Sequence, residues 1–251
     1  MTIWLNTPMK MQFRVIDGLT VRFAQSHDRE DHALLLSPWP ESLLAFEPVW
    51  TRLAEHTHLV AIDLPGFGHS QRRDALLSPR AMAAFLVRAA DVFGLADPHV
   101  VGPDVGTPAS LFAAGLHPGR LRSLVIGTGG AALAPDVPGA LTSIERYELP
   151  DHIREDYLAS YDGDRFAEST RYIRSYLTEL PALADLLPEI QTPVAIIAGA
   201  RDPAVPPLNA EFLHERLPNS TLDILDAAHF TWEDAPDEYA ELVTSWWTGG
   251  R

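Results

Sequence analysis

Apolar positions along this chain follow two different rhythms. Met11 to Ile16 and Leu19 to Ala24 alternate apolar and polar residues around Asp17-Gly18. That pattern predicts two half-buried antiparallel strands joined by a tight turn, because Asp and Gly accept the positive φ such a turn needs. Ala33 to Leu36, His58 to Ile62, His99 to Val101 and Leu121 to Ile126 are continuous apolar runs instead. A strand that is apolar on both faces is covered on both faces. Between these runs the spacing becomes helical, over Phe46 to Leu53, Ala81 to Phe93 and Pro108 to Leu116. Ser78-Pro79 reads as an N-cap with Pro in the first turn of the second of these helices, and Gly94 as its stop. Strands alternating with helices predict an α/β fold built on a mostly parallel, doubly wound sheet.

The alternation lapses from Gly129 to Pro188. Residues 129–142 are small, apolar and Pro-rich, and helical stretches follow at Pro150 to Tyr161, Arg165 to Tyr176 and Leu180 to Leu187. Residues 129–188 are therefore expected to form a helical cap inserted after the sixth strand. Residues 1–128 and 189–251 would supply the core beneath it. Strand and helix resume with Val194 to Ala198, Leu208 to Leu217, Leu222 to Leu225 and Asp237 to Trp247. The first 13 residues carry neither an apolar core nor a small-residue cleavage site, so no signal peptide is expected. No apolar run reaches membrane-spanning length.

One stretch has the form of a strand, a sharp turn and a helix. Val100-Val101 leads into Gly102-Pro103-Asp104-Val105-Gly106, and a run of small residues follows. Two glycines flank an apex too tight for side chains on either side, which is the pattern of a nucleophile elbow. The apex here is Asp104. Two more turns follow strands: Asp202 lies beyond the Val194 strand, and His229 lies beyond the Leu222 strand. Strand C-termini of a doubly wound sheet converge on one edge, where ligands bind. A single Asp in a turn is commonly a backbone-bonding turn former, and a single His is commonly a packing residue. The order apex, acid, His on three such turns is what argues for catalysis.

With these motifs in view, the chain resembles α/β-hydrolase fold proteins over nearly its full length. It is most similar to the Asp-nucleophile branch that includes epoxide hydrolases and haloalkane dehalogenases. The resemblance rests on Pro38-Trp39-Pro40, Asp63-Leu64-Pro65-Gly66-Phe67-Gly68-His69-Ser70, the Asp104 elbow, Arg201-Asp202-Pro203 and Ala228-His229-Phe230. It implies Asp104 as nucleophile, His229 as base and Asp202 as the acid orienting His229. A carboxylate attacks a saturated electrophilic carbon and leaves an alkyl-enzyme ester. Water activated by His229 then attacks that ester, and the oxyanion needs backbone N–H donors, expected from Trp39 and Val105. Relatives read His-Gly-x-Pro where this chain reads Ser37-Pro38-Trp39-Pro40. Many also carry Trp after the nucleophile to hold a halide, and Val105 occupies that position here, which counts against dehalogenation unless Trp39 supplies the donor. Epoxide opening needs an acid for the leaving oxygen, usually a cap tyrosine. The candidates are Tyr147, Tyr157, Tyr161, Tyr172 and Tyr176, of which Tyr172 and Tyr176 are expected on one helix face at i,i+4. The expected function is a hydrolase of epoxide-hydrolase type. The alternatives are a dehalogenase, or a non-hydrolytic lyase, cyclisation catalyst or small-molecule binding protein on the same fold.

Charge and composition narrow the partners. Among 251 residues there is no Cys, which excludes disulfides and thiolate chemistry and fits a cytoplasmic location. A formal charge of −15 disfavours nucleic acid and anionic membrane surfaces, leaving a small-molecule substrate and a monomer or homodimer. No cofactor is expected, and His56 with His58 lacks a third ligand for a metal. Trp246-Trp247 reads as helix packing, and Glu233-Asp234 as the acidic first turn of the last helix.

Overall fold

The computed structural model describes residues 9–129 and 137–249. Residues 130–136 of the small, apolar, Pro-rich stretch 129–142 and most of the N-terminal 13 residues lie outside that range. Eight strands form one sheet in the order β1-β2-β4-β3-β5-β6-β7-β8. They are β1 (Gln12–Ile16), β2 (Leu19–Gln25), β3 (His32–Leu36), β4 (His58–Ile62), β5 (His99–Pro103), β6 (Ser123–Gly127), β7 (Val194–Gly199) and β8 (Ser220–Leu225). The β1–β2 hairpin is antiparallel and turns at Asp17 and Gly18, both at positive φ. β2 joins β4 antiparallel, and every later pairing is parallel.

The continuous apolar runs are the central strands. Ala33 to Leu36, Leu59 to Ile62, Val100, Val101 and Leu124 to Ile126 are all buried, because helices cover both faces. Helices α1 (Glu47–Ala54) and α10 (Pro236–Trp247) pack together, and so do α2 (Pro79–Phe93) and α3 (Gly106–Leu116). α2 starts where the sequence says it should: Ser78 Oγ accepts the Ala81 N–H, Pro79 opens the helix, and Gly94 at φ 71° closes it. The paired tryptophans pack α10 onto the sheet end, with Trp246 Nε1 donating to Ser123 Oγ and Trp247 stacked on His99.

Between β6 and β7 run α4 (Val137–Leu141), α5 (Asp151–Ser160), α6 (Arg165–Arg174) and α7 (Tyr176–Leu186), with no strand among the described residues there. These helices are tied to the core by polar contacts. Arg165 donates to the Gly68 and Ser70 carbonyls. Asp156 pairs with buried Arg22 at 2.8 Å and accepts the Ser42 hydroxyl at 2.6 Å.

Two local expectations are corrected. Arg165 to Tyr176 is not one helix: the chain breaks at Ser175, whose hydroxyl donates to the Tyr172 carbonyl. Tyr172 therefore lies in the last turn of α6 while Tyr176 opens α7, although their rings still meet edge-on at 5.8 Å. Glu233 and Asp234 do not open the last helix. They sit in the separate short helix α9 (Thr231–Asp234), and both are buried. Asp234 accepts N–H groups from Glu145, Arg146 and Ala228, so its carboxylate fixes the chain around it.

Candidate active site

Asp104 stands at the end of β5 with φ +49°, a left-handed conformation costly for any residue with a β-carbon. The flanking glycines make that turn possible. A β-carbon at Gly102 would lie 2.3 Å from Ser110 Oγ, and one at Gly106 would press on Leu36 at 3.3 Å. α3 starts directly behind the apex, and the Thr107 N–H bonds the Asp104 carbonyl. The turn thus presents the carboxyl at the edge of the sheet while keeping it 5% exposed.

Both residues proposed to line the oxyanion site meet that carboxyl. The Trp39 backbone N–H donates to Asp104 Oδ2 at 2.6 Å, and the Val105 N–H lies close enough to favour its charge. Pro38 has no N–H to give, but the donor is the next residue along. The β3 end is held in place by Ser37, whose hydroxyl accepts the Leu64 N–H. On the far side, Asp104 Oδ1 faces His229 Nε2 at 3.8 Å. His229 Nδ1 bonds Asp202 Oδ2 at 2.8 Å. Asp202 also acts as a turn former, since its Oδ1 accepts the Ala204 and Val205 N–H groups at 2.8 Å each. Those two bonds fix the carboxylate, and through it the imidazole.

Burial holds the Asp104 carboxyl at about 6, above its usual 3.8, against the opposing pull of His229 and the two amides. Burial works against charge on His229 too, but the Asp202 hydrogen bond and the charges of Asp104 and Asp202 outweigh it and raise the imidazole. An anionic Asp104 and a cationic His229 therefore support each other.

The aromatic side chains nearby are already committed. The Trp39 indole N–H donates to Ser169 Oγ at 2.8 Å, and its ring stacks on Phe166 of α6. Tyr172 donates its hydroxyl to the Val105 carbonyl at 2.9 Å, one residue from Asp104. Tyr176 instead lines an apolar cavity of about 210 Å³ between α3, α7 and α8 (Pro207–Arg216), with Thr107, Leu183 and Phe212. Tyr157 donates to Glu233, Tyr161 faces the Glu41 carbonyl at 3.4 Å, and Tyr147 lies near Glu233. The Gly66-Phe67-Gly68 turn supports the site from below. Buried Asp63 accepts the Leu43 and His69 N–H groups at 2.7 and 2.8 Å, and a β-carbon on Gly68 would fall 2.2 Å from the Asp63 carboxyl carbon. Among the described residues no three His, Asp or Glu side chains converge as a metal site.

Residues 33–242 match the model of the alpha/beta hydrolase family. The chain belongs to that family. RutD from Caulobacter sp. (strain K31), which carries a carbamate-hydrolase name, is 29% identical over 95% of this chain and 99% of its own. Haloalkane dehalogenase DbeA from Bradyrhizobium elkani USDA94 superposes with a TM-score of 0.82 at 20% identity, covering 96% of this chain and 98% of its own. Epoxide hydrolase CorEH superposes at 0.79 and 18% identity, covering 97% of this chain and all of its own. At such identities the structural matches speak for the fold. No helix among the described residues is long and apolar enough to cross a membrane.

The residues missed from the sequence are Glu41, buried beside the site, and Ser169, which takes the Trp39 indole; Glu233, read as a helix-opening acid, is buried there too. Glu41 follows directly on the quoted Pro38-Trp39-Pro40 loop. A charged residue in an otherwise apolar stretch was the only local sign of it.

Proposed function

We propose that this protein is a cofactor-free hydrolase that forms a covalent ester on Asp104, with a small epoxide as substrate. The supporting observation is the division of labour on one carboxyl: Oδ2 is held by the Trp39 amide while Oδ1 faces His229. Asp104 Oδ1 attacks an epoxide carbon and the ring C–O bond breaks. The leaving oxygen takes a proton from a cap hydroxyl. Tyr172 or Tyr176 is the assigned donor, and Tyr172 must release the Val105 carbonyl to give it. His229 Nε2 then takes a proton from water as the water oxygen attacks the Asp104 carboxyl carbon. Negative charge gathers on the oxygen facing the Trp39 and Val105 amides. Collapse expels the diol, whose new hydroxyl takes the proton from His229; the other water proton, left on the Asp104 carboxyl, returns to the tyrosinate, and Asp202 keeps the imidazole in register. Residues 129–188 act as the lid, and the chain works in the cytoplasm as a monomer or homodimer without nucleic-acid or membrane partners.

The halide reading is disfavoured, since Val105 has no side-chain donor and the Trp39 indole is bonded to Ser169. One observation favours a second reading. A carboxyl held near 6 is poised for proton transfer, which suits Asp104 as a general acid or base in a lyase or cyclisation. A single turnover with styrene oxide in ¹⁸O-water separates the two. The covalent route places label in Asp104 before product, whereas label that enters product directly rejects it.

A further inference from the structure

We infer that Glu41 and Glu233 share one proton, and that this neutral link positions the Trp39 amide and the His229 turn on either side of Asp104. Glu41 lies two residues beyond Trp39 and Glu233 four beyond His229, so each sits on one of the two segments that flank the carboxyl. The two carboxyls are 0% and 1% exposed. Glu41 Oε2 accepts the Trp232 indole N–H at 3.1 Å, and Glu233 Oε1 accepts the Tyr157 hydroxyl at 3.1 Å. The remaining oxygens, Glu41 Oε1 and Glu233 Oε2, are buried and receive no N–H or O–H from another residue.

The two carboxyls face each other closely enough to interact, and each keeps one buried oxygen without a donor. Ionised carboxylates only accept, so a bond between them needs a proton on one. Burial alone would strand both charges, and a second negative charge at contact would drive the segments apart. The charged and titratable groups that face the pair do not relieve this. They are Tyr157 and Tyr161 from α5, Tyr147 from the preceding loop, Asp234 from α9 and Asp104 from the elbow. Each is neutral or negative. Burial raises Glu41 well above its ordinary range, with Glu233 adding to it, and burial lifts Glu233 to about 7. The shared proton also reaches the helices over the site, because Tyr157 of α5 hangs on Glu233. Among the described residues the pair makes no hydrogen bond or ion pair to Asp104 or the imidazole, so it is a positioning element. Its value to catalysis rests on the function proposed above, but its existence does not.

The test reads the proton and the positioning separately, without a substrate. Infrared difference spectra at about pH 6 are taken on Asp104→Asn, which removes the other raised carboxyl near 6. A protonated-carboxyl carbonyl band should be present there and absent when Glu41→Gln and Glu233→Gln are added. No band in Asp104→Asn overturns the shared proton. The low-field NMR signal of the His229 Nδ1–H reports its bond to Asp202. In the otherwise unaltered protein that signal should shift or broaden as pH rises through about 7, in step with loss of the proton. The double Gln variant, an uncharged pair that still hydrogen-bonds, should keep it constant over the same range. Equal pH dependence in both proteins overturns the positioning role. Glu233→Ala should slow Asp104 alkylation by an epoxide about tenfold through kcat rather than KM, with rescue by Glu233→Gln. Absence of alkylation in the parent protein would count against the proposed function, leaving the infrared and NMR results to decide this inference.

Discussion

Replacing Asp104 by Asn should make the protein more stable at neutral pH while abolishing ester formation. The carboxyl is pushed from 3.8 to about 6 by burial. At about 1.4 kcal/mol per pH unit, its ionisation costs the fold about 3 kcal/mol. The sign follows from linkage. The folded protein holds the Asp104 proton more tightly than the unfolded chain, so this stability is present below 3.8 and lost as pH rises through about 6. Asn never ionises. Its side-chain oxygen can still accept the Trp39 and Val105 amides, and its NH₂ group faces the acceptor nitrogen of neutral His229. The gain should be about 1 kcal/mol near pH 4.5 and about 3 kcal/mol near pH 8. For a chain of this length that is about 6–12 °C in melting temperature at the higher pH. Urea titrations and thermal melts of both proteins at the two pH values measure it. An Asn variant that melts at or below the parent near pH 8, or gains equally at both pH values, would refute the claim that burial strains an ionised Asp104.

Other consequences follow from the same geometry. His229→Gln should stop the reaction at the ester, so intact-mass spectrometry should show the protein plus one substrate, with the adduct on Asp104. The rate of ester formation should rise with pH around a midpoint of about 6 as Asp104 ionises, measured by rapid-quench single turnovers. Tyr172→Phe removes the bond to the Val105 carbonyl and should cost about 1 kcal/mol in urea melts; an unchanged midpoint would show that this bond contributes nothing. Gly68→Ala combines a positive φ with a clash against Asp63 and should cost about 2–4 kcal/mol, read the same way.

What could be read along the chain was whatever a short segment decides for itself. The Asp17-Gly18 turn, the Ser78-Pro79 start and Gly94 stop of α2, and the glycines around Asp104 each answer a backbone requirement that neighbouring residues impose. The runs of buried strand residues announced the parallel sheet, and the order of its turns placed Asp104, Asp202 and His229 on one edge. Helical spacing was less reliable where no packing signal entered: nothing in Arg165 to Tyr176 distinguishes one helix from two, and the break falls at Ser175.

The sequence by itself determined the sheet, the elbow and the residue types at the site, because these depend on periodicity and on local backbone geometry. Only the tertiary structure decided which groups those side chains meet. The Trp39 indole finds Ser169 across 130 residues, and Glu41 finds the Trp232 indole across 191. Such partners are chosen by where the burial of the sheet brings distant segments together. Removal from water then turns an ordinary glutamate into a group that must share a proton or find another partner.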